Sequence, residues 1–376
     1  MKQHIAQFEV LRGIAALWVF FSHVLLISEA SLPPLNSGDM AVDLFVILSG
    51  FVITLMANRK HETYGIYIFR RFVRLYPLYI VALLGGLLTQ HLYGPVVGQS
   101  LFGWEPQQAF LARDQQIWSN FWQHMLLHLA MLHGAVPDSV LPSAALAFSG
   151  PLWSISLEWQ FYLVAPALVW ALDVTKSRRW PIALGAIALI FCLRFLAQQY
   201  WTGSVPSFLP LRLDLFAVGI ICAHLWPCAR NAPLAMVAVL PIAGLALSYL
   251  TGNHWLPMVL WFLTYAVAAC GDRSLPSSIA NQLYTLPPLR WLGERSYGLY
   301  VLHMPIVLGL TSLLVLPHVD QFGRRITFCI LLAMLPVVLL VADWLYRNVE
   351  VPFIAWGRAF ARRQAPAVPV EASETA

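Results

Sequence analysis

Arg12 and His23 stand eleven residues apart in one apolar run, Arg-Gly-Ile-Ala-Ala-Leu-Trp-Val-Phe-Phe-Ser-His. On an α-helix, eleven residues turn through about 1100° and rise about 16 Å, so the two basic groups share a face at very different depths. Ionisable groups inside an apolar span are costly and mark functional paths. Two carboxylates join them: Asp43, near the start of a second apolar run, and Glu158, inside Pro-Leu-Trp-Ser-Ile-Ser-Leu-Glu-Trp-Gln-Phe-Tyr (151–162). Counted from the outer ends of their spans, His23, Asp43 and Glu158 are expected within about 5–10 Å of the surface, at similar depth. A histidine oriented by a carboxylate is a general base, the carboxylate fixing the tautomer and stabilising the imidazolium. His23, Asp43 and Glu158 are therefore the expected catalytic residues.

A second cluster has different chemistry. Arg70-Arg71-Phe-Val-Arg74-Leu-Tyr-Pro opens another span. Arg71 and Arg74 face one way at i, i+3, and guanidinium groups bind phosphates bidentately. With Arg12 they suit a phosphate-bearing donor, although topogenic anchoring explains the same residues. His303 is expected to line a donor tunnel or to satisfy a carbonyl freed by Pro305. Ser154, Ser156, Tyr162, Arg212 and Asp214 are the acceptor-side candidates, Arg212 and Asp214 being equally readable as a structural ion pair. His124 and His128 are spaced i, i+4, but no His-Glu-x-x-His pattern accompanies them, and no metal is expected.

The elements that must position these residues are membrane helices. The 376 residues are 59% hydrophobic and 11% charged, against about 25% charged in a soluble domain. The net charge of +5 is spread over loops instead of forming a patch, which argues against nucleic-acid binding. The five cysteines include no Cys-x-x-Cys pair and read as packing residues. Ten runs have the length of a membrane span. Segment 119–133, with three histidines, is an eleventh candidate, but counting it would put Lys176, Arg178 and Arg179 outside. The positive-inside rule favours ten spans with both termini cytoplasmic and 119–133 as a surface or re-entrant helix. The expected fold is thus an all-α, polytopic transmembrane helical bundle. One membrane domain covers 1–360, with a Pro/Ala/Glu-rich disordered tail at 361–376. The first span is expected to act as an uncleaved anchor.

Taken together, these strings resemble acyltransferase family 3, the integral-membrane O-acyltransferases of surface glycans and other hydroxylated acceptors. The resemblance covers roughly residues 5–353. Arg12-x10-His23 is similar to the family's first-helix signature, Asp43-Leu-Phe-Val-Ile-Leu-Ser-Gly-Phe to its second-helix motif, and Arg71-Phe-Val-Arg74 to its Arg-x-x-Arg element. Residues 153–162, Ser296-Tyr-Gly-Leu-Tyr-Val-Leu-His303 and Val349-Glu-Val-Pro-Phe353 follow in the family's order. The resemblance implies an acyl-CoA donor, most often acetyl-CoA, a carbohydrate or other hydroxyl acceptor, and no metal.

The function expected on these grounds is O-acyl transfer in the cytoplasmic (inner) membrane, to an acceptor on the extracytoplasmic side. Arg12, Arg70, Arg71, Arg74 and His303 bind the donor, and His23, oriented by Asp43, acts as base or nucleophile. The alternative is a proton-coupled transporter or flippase using His23, Asp43 and Glu158 as a relay. A third reading is an intramembrane metal enzyme built on His23, His124 and His128.

Overall fold

A chain this apolar must satisfy its backbone N–H and C=O groups internally, and helices do so within one segment. The computed structural model describes residues 6–58, 62–98, 107–319 and 321–364. Their regular structure is entirely helical. In order it comprises α1 (Ala6–Ile27), α2 (Gly38–Ala57), α3 (Tyr64–Thr89), α4 (Gln107–Ser119), α5 (Phe121–Leu129), α6 (Leu152–Ala171), α7 (Trp180–Tyr200) and α8 (Leu213–Asn231). It continues with α9 (Leu234–Ala238), α10 (Leu240–Thr251), α11 (Trp255–Cys270), α12 (Leu275–Tyr284), α13 (Pro287–Leu314), α14 (Arg324–Ala333), α15 (Leu335–Leu345) and α16 (Val351–Gln364).

Among the described residues, eight helical stretches are long and apolar enough to cross a membrane, or nine when α11 and α12, bent by 106°, count as one broken span. The remaining expected span is α6. Its 20 residues would rise about 30 Å, but Glu158, Gln160 and its tryptophans make it less apolar than the others. Segment 119–133 folds around α5, whose nine residues rise about 14 Å and cannot cross a core of about 30 Å alone. α5 exposes Trp122 and Leu126 and buries His124 and His128. α16 carries helix to Gln364, through the first residues of the expected tail, and 365–376 lie outside the described residues.

Contacts fix the relative directions of the helices. α1 and α2 are antiparallel, with Phe8 against Phe51 (ring centroids 4.6 Å apart) and Ser22 against Gly38. α1 and α13 run parallel: Arg12 meets Ser296 and His23 meets His303. α2 and α8 are also parallel, with Asp43 beside Arg212 and Gly50 against Phe216. Small residues allow these backbones to touch. A Cβ on Gly219 would fall 2.1 Å from the Ile47 carbonyl oxygen, and one on Gly293 would fall 2.4 Å from that of Glu9. One consequence governs the site: His23 and Asp43 lie toward one end of the bundle, and Arg12, Arg71 and Arg74 toward the other.

Candidate active site

His23 is partly buried on α1, its ring 4.9 Å from that of His303 on α13. Nδ1 of His303 lies 2.7 Å from the carbonyl oxygen of Tyr300 and 3.3 Å from that of Leu299. Carbonyls only accept, so this nitrogen carries the proton. In the neutral ring Nε2 of His303 is then an acceptor, and it stands 3.2 Å from Nδ1 of His23. Nδ1 of His23 also lies 2.9 Å from the Val19 carbonyl oxygen. Both neighbours want a proton on that nitrogen. The lone pair of His23 is thereby left on Nε2, the tautomer a base requires. His303 serves neither the carbonyl released by Pro305 nor the lining of the cavity described next.

That cavity, of about 1030 Å³, is walled by α1, α2, α3, α6, α13 and α16, with Phe216 of α8. Arg12, Arg70, Arg71 and Arg74 all line it. Arg12 donates from Nε to Ser296 Oγ (2.8 Å) and from Nη2 to the Gly293 carbonyl (3.2 Å). Arg70 pairs with Glu62 at 2.5 Å, and Arg74 pairs with buried Glu350. Arg71 differs. It is 8% exposed, has no carboxylate partner among the described residues, and leaves its Nε unsatisfied there. Its neighbours are the Met56 sulfur at 3.5 Å and the rings of Tyr67 and Tyr162, at 5.8 and 5.9 Å. A buried guanidinium without a counter-charge is costly, so this corner favours an anion.

Glu158 lines the same cavity, accepting from Ser49 Oγ (2.8 Å) and from the Tyr162 hydroxyl. It is thus level with Ser49, six residues or about 9 Å along α2 from Asp43. His23, next to Ser22 at the level of Gly38, is displaced about 7 Å the other way. The three groups are staggered, and the expectation of a common depth is corrected. The error came from counting each depth from its own span end, although the helices begin at different heights.

Among the lining residues, Ser154 Oγ lies 2.6 Å from the Tyr300 hydroxyl, which also donates to the Pro151 carbonyl (2.9 Å). Tyr300 packs against Phe45 at 5.3 Å. The two histidines sit one turn beyond Tyr300 and do not line the cavity. Ser156 faces the other way. Fully buried, it donates to the Met131 carbonyl (2.8 Å) and accepts from the Gly134 amide (2.9 Å), tying α6 to the loop after α5. Its hydrogen bonds are spent on structure and it does not line the cavity.

Asp43 does not orient His23. Its carboxylate lies 3.0 Å from Nε of Arg212 and 3.0 Å from Nδ1 of His254, whose Nε2 is 3.5 Å from Asp39. The hydrogen bond to Asp43 raises the His254 pKa above its ordinary 6.5. Nor do Arg212 and Asp214 pair with each other: Asp214 is held by Arg194 and by Asn253 at 2.5 Å. These partners are remote in sequence, and no local spacing announces them. His128 nitrogens lie 2.8 and 3.1 Å from the backbone oxygens of His124 and Ala147, and its ring stacks on His133 at 3.8 Å. Among the described residues no cluster of three or more His, Cys, Asp or Glu side chains is gathered as a metal ion needs.

Several site residues escaped the sequence reading. Tyr300 precedes His303 by three residues and shares its face, a signal available in the quoted motif. Glu350 lies in the terminal motif but had no assigned partner. Arg358 and Arg362, in the C-terminal basic stretch, also line the cavity.

Residues 5–347 match the family described as acyltransferase domain. The chain is 27% identical over 341 residues to the peptidoglycan O-acetyltransferase OatA of Listeria monocytogenes, covering 83% of this chain and 51% of that protein. It is 26% identical over 357 residues to the putative peptidoglycan O-acetyltransferase YrhL of Bacillus subtilis, covering 87% and 52%. To the acyltransferase MdmB of Streptomyces mycarofaciens it is 25% identical over 375 residues, covering 91% and 89%. The chain therefore spans about half the length of the first two. No solved structure matches it.

Proposed function

The chain belongs to the acyltransferase-domain family, and from that premise we propose that it is a membrane-embedded O-acetyltransferase. Its donor is acetyl-CoA, its acceptor a hydroxyl of a sugar or glycan, and its seat the cytoplasmic membrane. The arginine end of the bundle faces the cytoplasm by the positive-inside rule, and the His23 end faces outward. Relatives named for peptidoglycan O-acetyl transfer support the acetyl group and the glycan acceptor.

The observation that carries the donor assignment is Arg71, a buried cation aimed into a large cavity without a carboxylate of its own. Donor phosphates supply the missing charge, joined by Arg12 and Arg74. The thioester then lies toward Ser154 and Tyr300, short of the two histidines. Movement of Tyr300 is required for the acyl carbonyl and His23 to meet. Nε2 of His23 takes the hydroxyl proton as the acceptor oxygen attacks the thioester carbonyl. The C–S bond breaks, and the departing thiolate recovers that proton as the free thiol of CoA. His303 is a positioning residue, acting through the tautomer of His23. Glu158, with Ser49 and Tyr162, shapes the middle of the donor cavity.

The test is transfer of labelled acetyl from acetyl-CoA to muramyl glycan fragments and small glycosides by the protein reconstituted in vesicles. The native chain transfers label and His23→Ala does not. Undiminished transfer by His23→Ala removes the base from the scheme, and absence of acetyl-CoA turnover with every acceptor removes the enzyme.

A further inference from the structure

We propose that Arg358 and Arg362 of α16 form a second anion subsite, at the mouth of the cavity, which takes the 3′-phosphate on the donor's ribose and selects CoA thioesters over their 3′-dephospho counterparts. This rests on the acyl-CoA reading above and adds to it a recognition element.

The packing of α16 on α3 sets the geometry. Gly357 rests on Val73, where an added Cβ would lie 3.0 Å from Val73 Cγ1. Phe360 and Trp356 pack on Phe69 at 4.6 and 5.5 Å. The helices are antiparallel, so α16 continues toward the opening while α3 runs inward from it. Arg358 and Arg362, one turn apart on one face, both line the cavity wall. Arg362 lies five residues beyond Gly357, about 7 Å nearer the opening than the level of Val73 and Arg74.

Charge accounting separates these two from the rest. Six arginines line the cavity (Arg12, Arg70, Arg71, Arg74, Arg358 and Arg362) against three lining glutamates, Glu9, Glu62 and Glu158. Glu62 answers Arg70, and Glu350, behind the wall, answers Arg74. Arg358 and Arg362 have no carboxylate partner among the described residues. Guanidinium groups without a paired carboxylate among the described residues therefore occur at two levels, deep at Arg71 and at the mouth on α16, while Glu9, Glu158 and Glu350 lie in the field of Arg12. A ligand with one compact anionic group satisfies one level only. A pyrophosphate and a separate phosphomonoester, held apart by a ribose, satisfy both. The phosphomonoester carries about −1.5 to −2 charges at neutral pH, which suits a pair of guanidinium groups. The acyl end must be innermost, near Tyr300, so the adenosine end stays at the mouth, where α16 stands.

An anionic lipid headgroup offers similar chemistry, and the test separates the two sources. The full chain is reconstituted in zwitterionic phosphatidylcholine vesicles, and binding of acetyl-CoA and acetyl-3′-dephospho-CoA is measured by calorimetry. The native protein is expected to prefer acetyl-CoA by about tenfold, the worth of one charge-assisted contact. Arg358→Gln/Arg362→Gln is expected to bind both at the weaker level, and Arg358→Lys/Arg362→Lys to recover most of the preference. Equal affinities in the native protein, or a full preference in the glutamine variant, overturn the subsite. So does an effect that appears only when phosphatidylglycerol is added, which assigns the arginines to lipid. If both ligands bind alike and Arg71→Ala loses both, the subsite fails while the donor reading stands. If neither ligand binds, the donor reading fails and this inference with it.

Discussion

Nε2 of His303 stands 3.2 Å from Nδ1 of His23, across the parallel interface of α13 and α1. Two backbone carbonyls bracket the pair, Tyr300 beyond one ring and Val19 beside the other. Protons are driven onto both Nδ1 atoms, and the lone pair of His23 is directed to Nε2, which has no hydrogen-bond partner among the described residues. A second imidazole does here what the sequence led us to expect of Asp43. Unlike a carboxylate, it orients His23 without adding a buried negative charge.

His303→Ala is therefore expected to lower kcat by about a hundredfold, the usual worth of well-placed acid–base catalysis. Donor affinity should be unchanged, because His303 does not line the cavity. His303→Gln, whose amide oxygen can accept from His23 Nδ1, should recover part of the loss. Single-turnover transfer beside equilibrium donor binding checks the split. A His303→Ala protein with native kcat, or one whose only defect is donor affinity, excludes the positioning role.

Arg71 yields a prediction in which stability and binding move apart. A buried guanidinium without a counter-ion is costly, and its replacement by an apolar side chain of similar length is neutral or stabilising. The empty Arg71→Met protein should thus melt at or above the native temperature. The same variant should lose about ten- to a hundredfold in acetyl-CoA affinity, from the loss of about 1.5–3 kcal/mol of charged hydrogen bonding. Thermal melts with and without donor make both measurements. A lower melting temperature with native donor affinity contradicts the clamp.

The sequence carried the fold further than the site. Long apolar runs announce helices by length alone, so α1, α2 and α7 stand where hydropathy puts them, while α3 and α13 begin about ten residues before their apolar runs. The arginine cluster was equally visible, because Arg71 and Arg74 share a helix face and Arg12 stands on the first span, and all three line one cavity. Partnership between remote residues was not visible. Asp43 and His254 are 211 positions apart, and no periodicity within one helix encodes which side chain of another will meet it. Depth was misjudged for a related reason, since a staggered bundle has no common zero. Arg358 and Arg362 were not legible as cavity residues, because an i, i+4 arginine pair looks the same whether it faces lipid headgroups or a cavity.

His254 makes stability depend on pH. Its pKa is raised in the folded protein by the hydrogen bond to Asp43, with Asp43 and Asp39 adding attraction. A base whose folded pKa is raised contributes stability fully below its unfolded value, near 6.5, and loses it as pH climbs through the folded value. The melting temperature of the native protein should accordingly fall as pH rises above the ordinary histidine value of 6.5. His254→Gln should flatten that slope. Asp43→Asn should flatten it too and destabilise at every pH by about 3 kcal/mol, since half-buried Arg212 loses its carboxylate partner. A slope in His254→Gln equal to the native one assigns the titration to another group.

The parallel contact that joins the two histidines begins far from them, at Gly293. A Cβ at that position would lie 2.4 Å from the Glu9 carbonyl oxygen and 2.7 Å from its carbon. Both are backbone atoms of α1, so no rotamer change relieves the clash and the helices must part. Arg12 would shift with respect to Ser296, and His23 with respect to His303. A misplacement of about 1 Å in a reacting group can cost about a hundredfold in rate. Gly293→Ala should therefore lower both melting temperature and kcat, though it touches neither histidine. Gly309 is the control: it lies on the same helix with nothing within 4 Å of an added Cβ. Gly309→Ala should be neutral or stabilising by about 0.5–1 kcal/mol, the helix preference of alanine over glycine. If Gly293→Ala is as active as Gly309→Ala, the histidine pair does not depend on the close approach of α1 and α13.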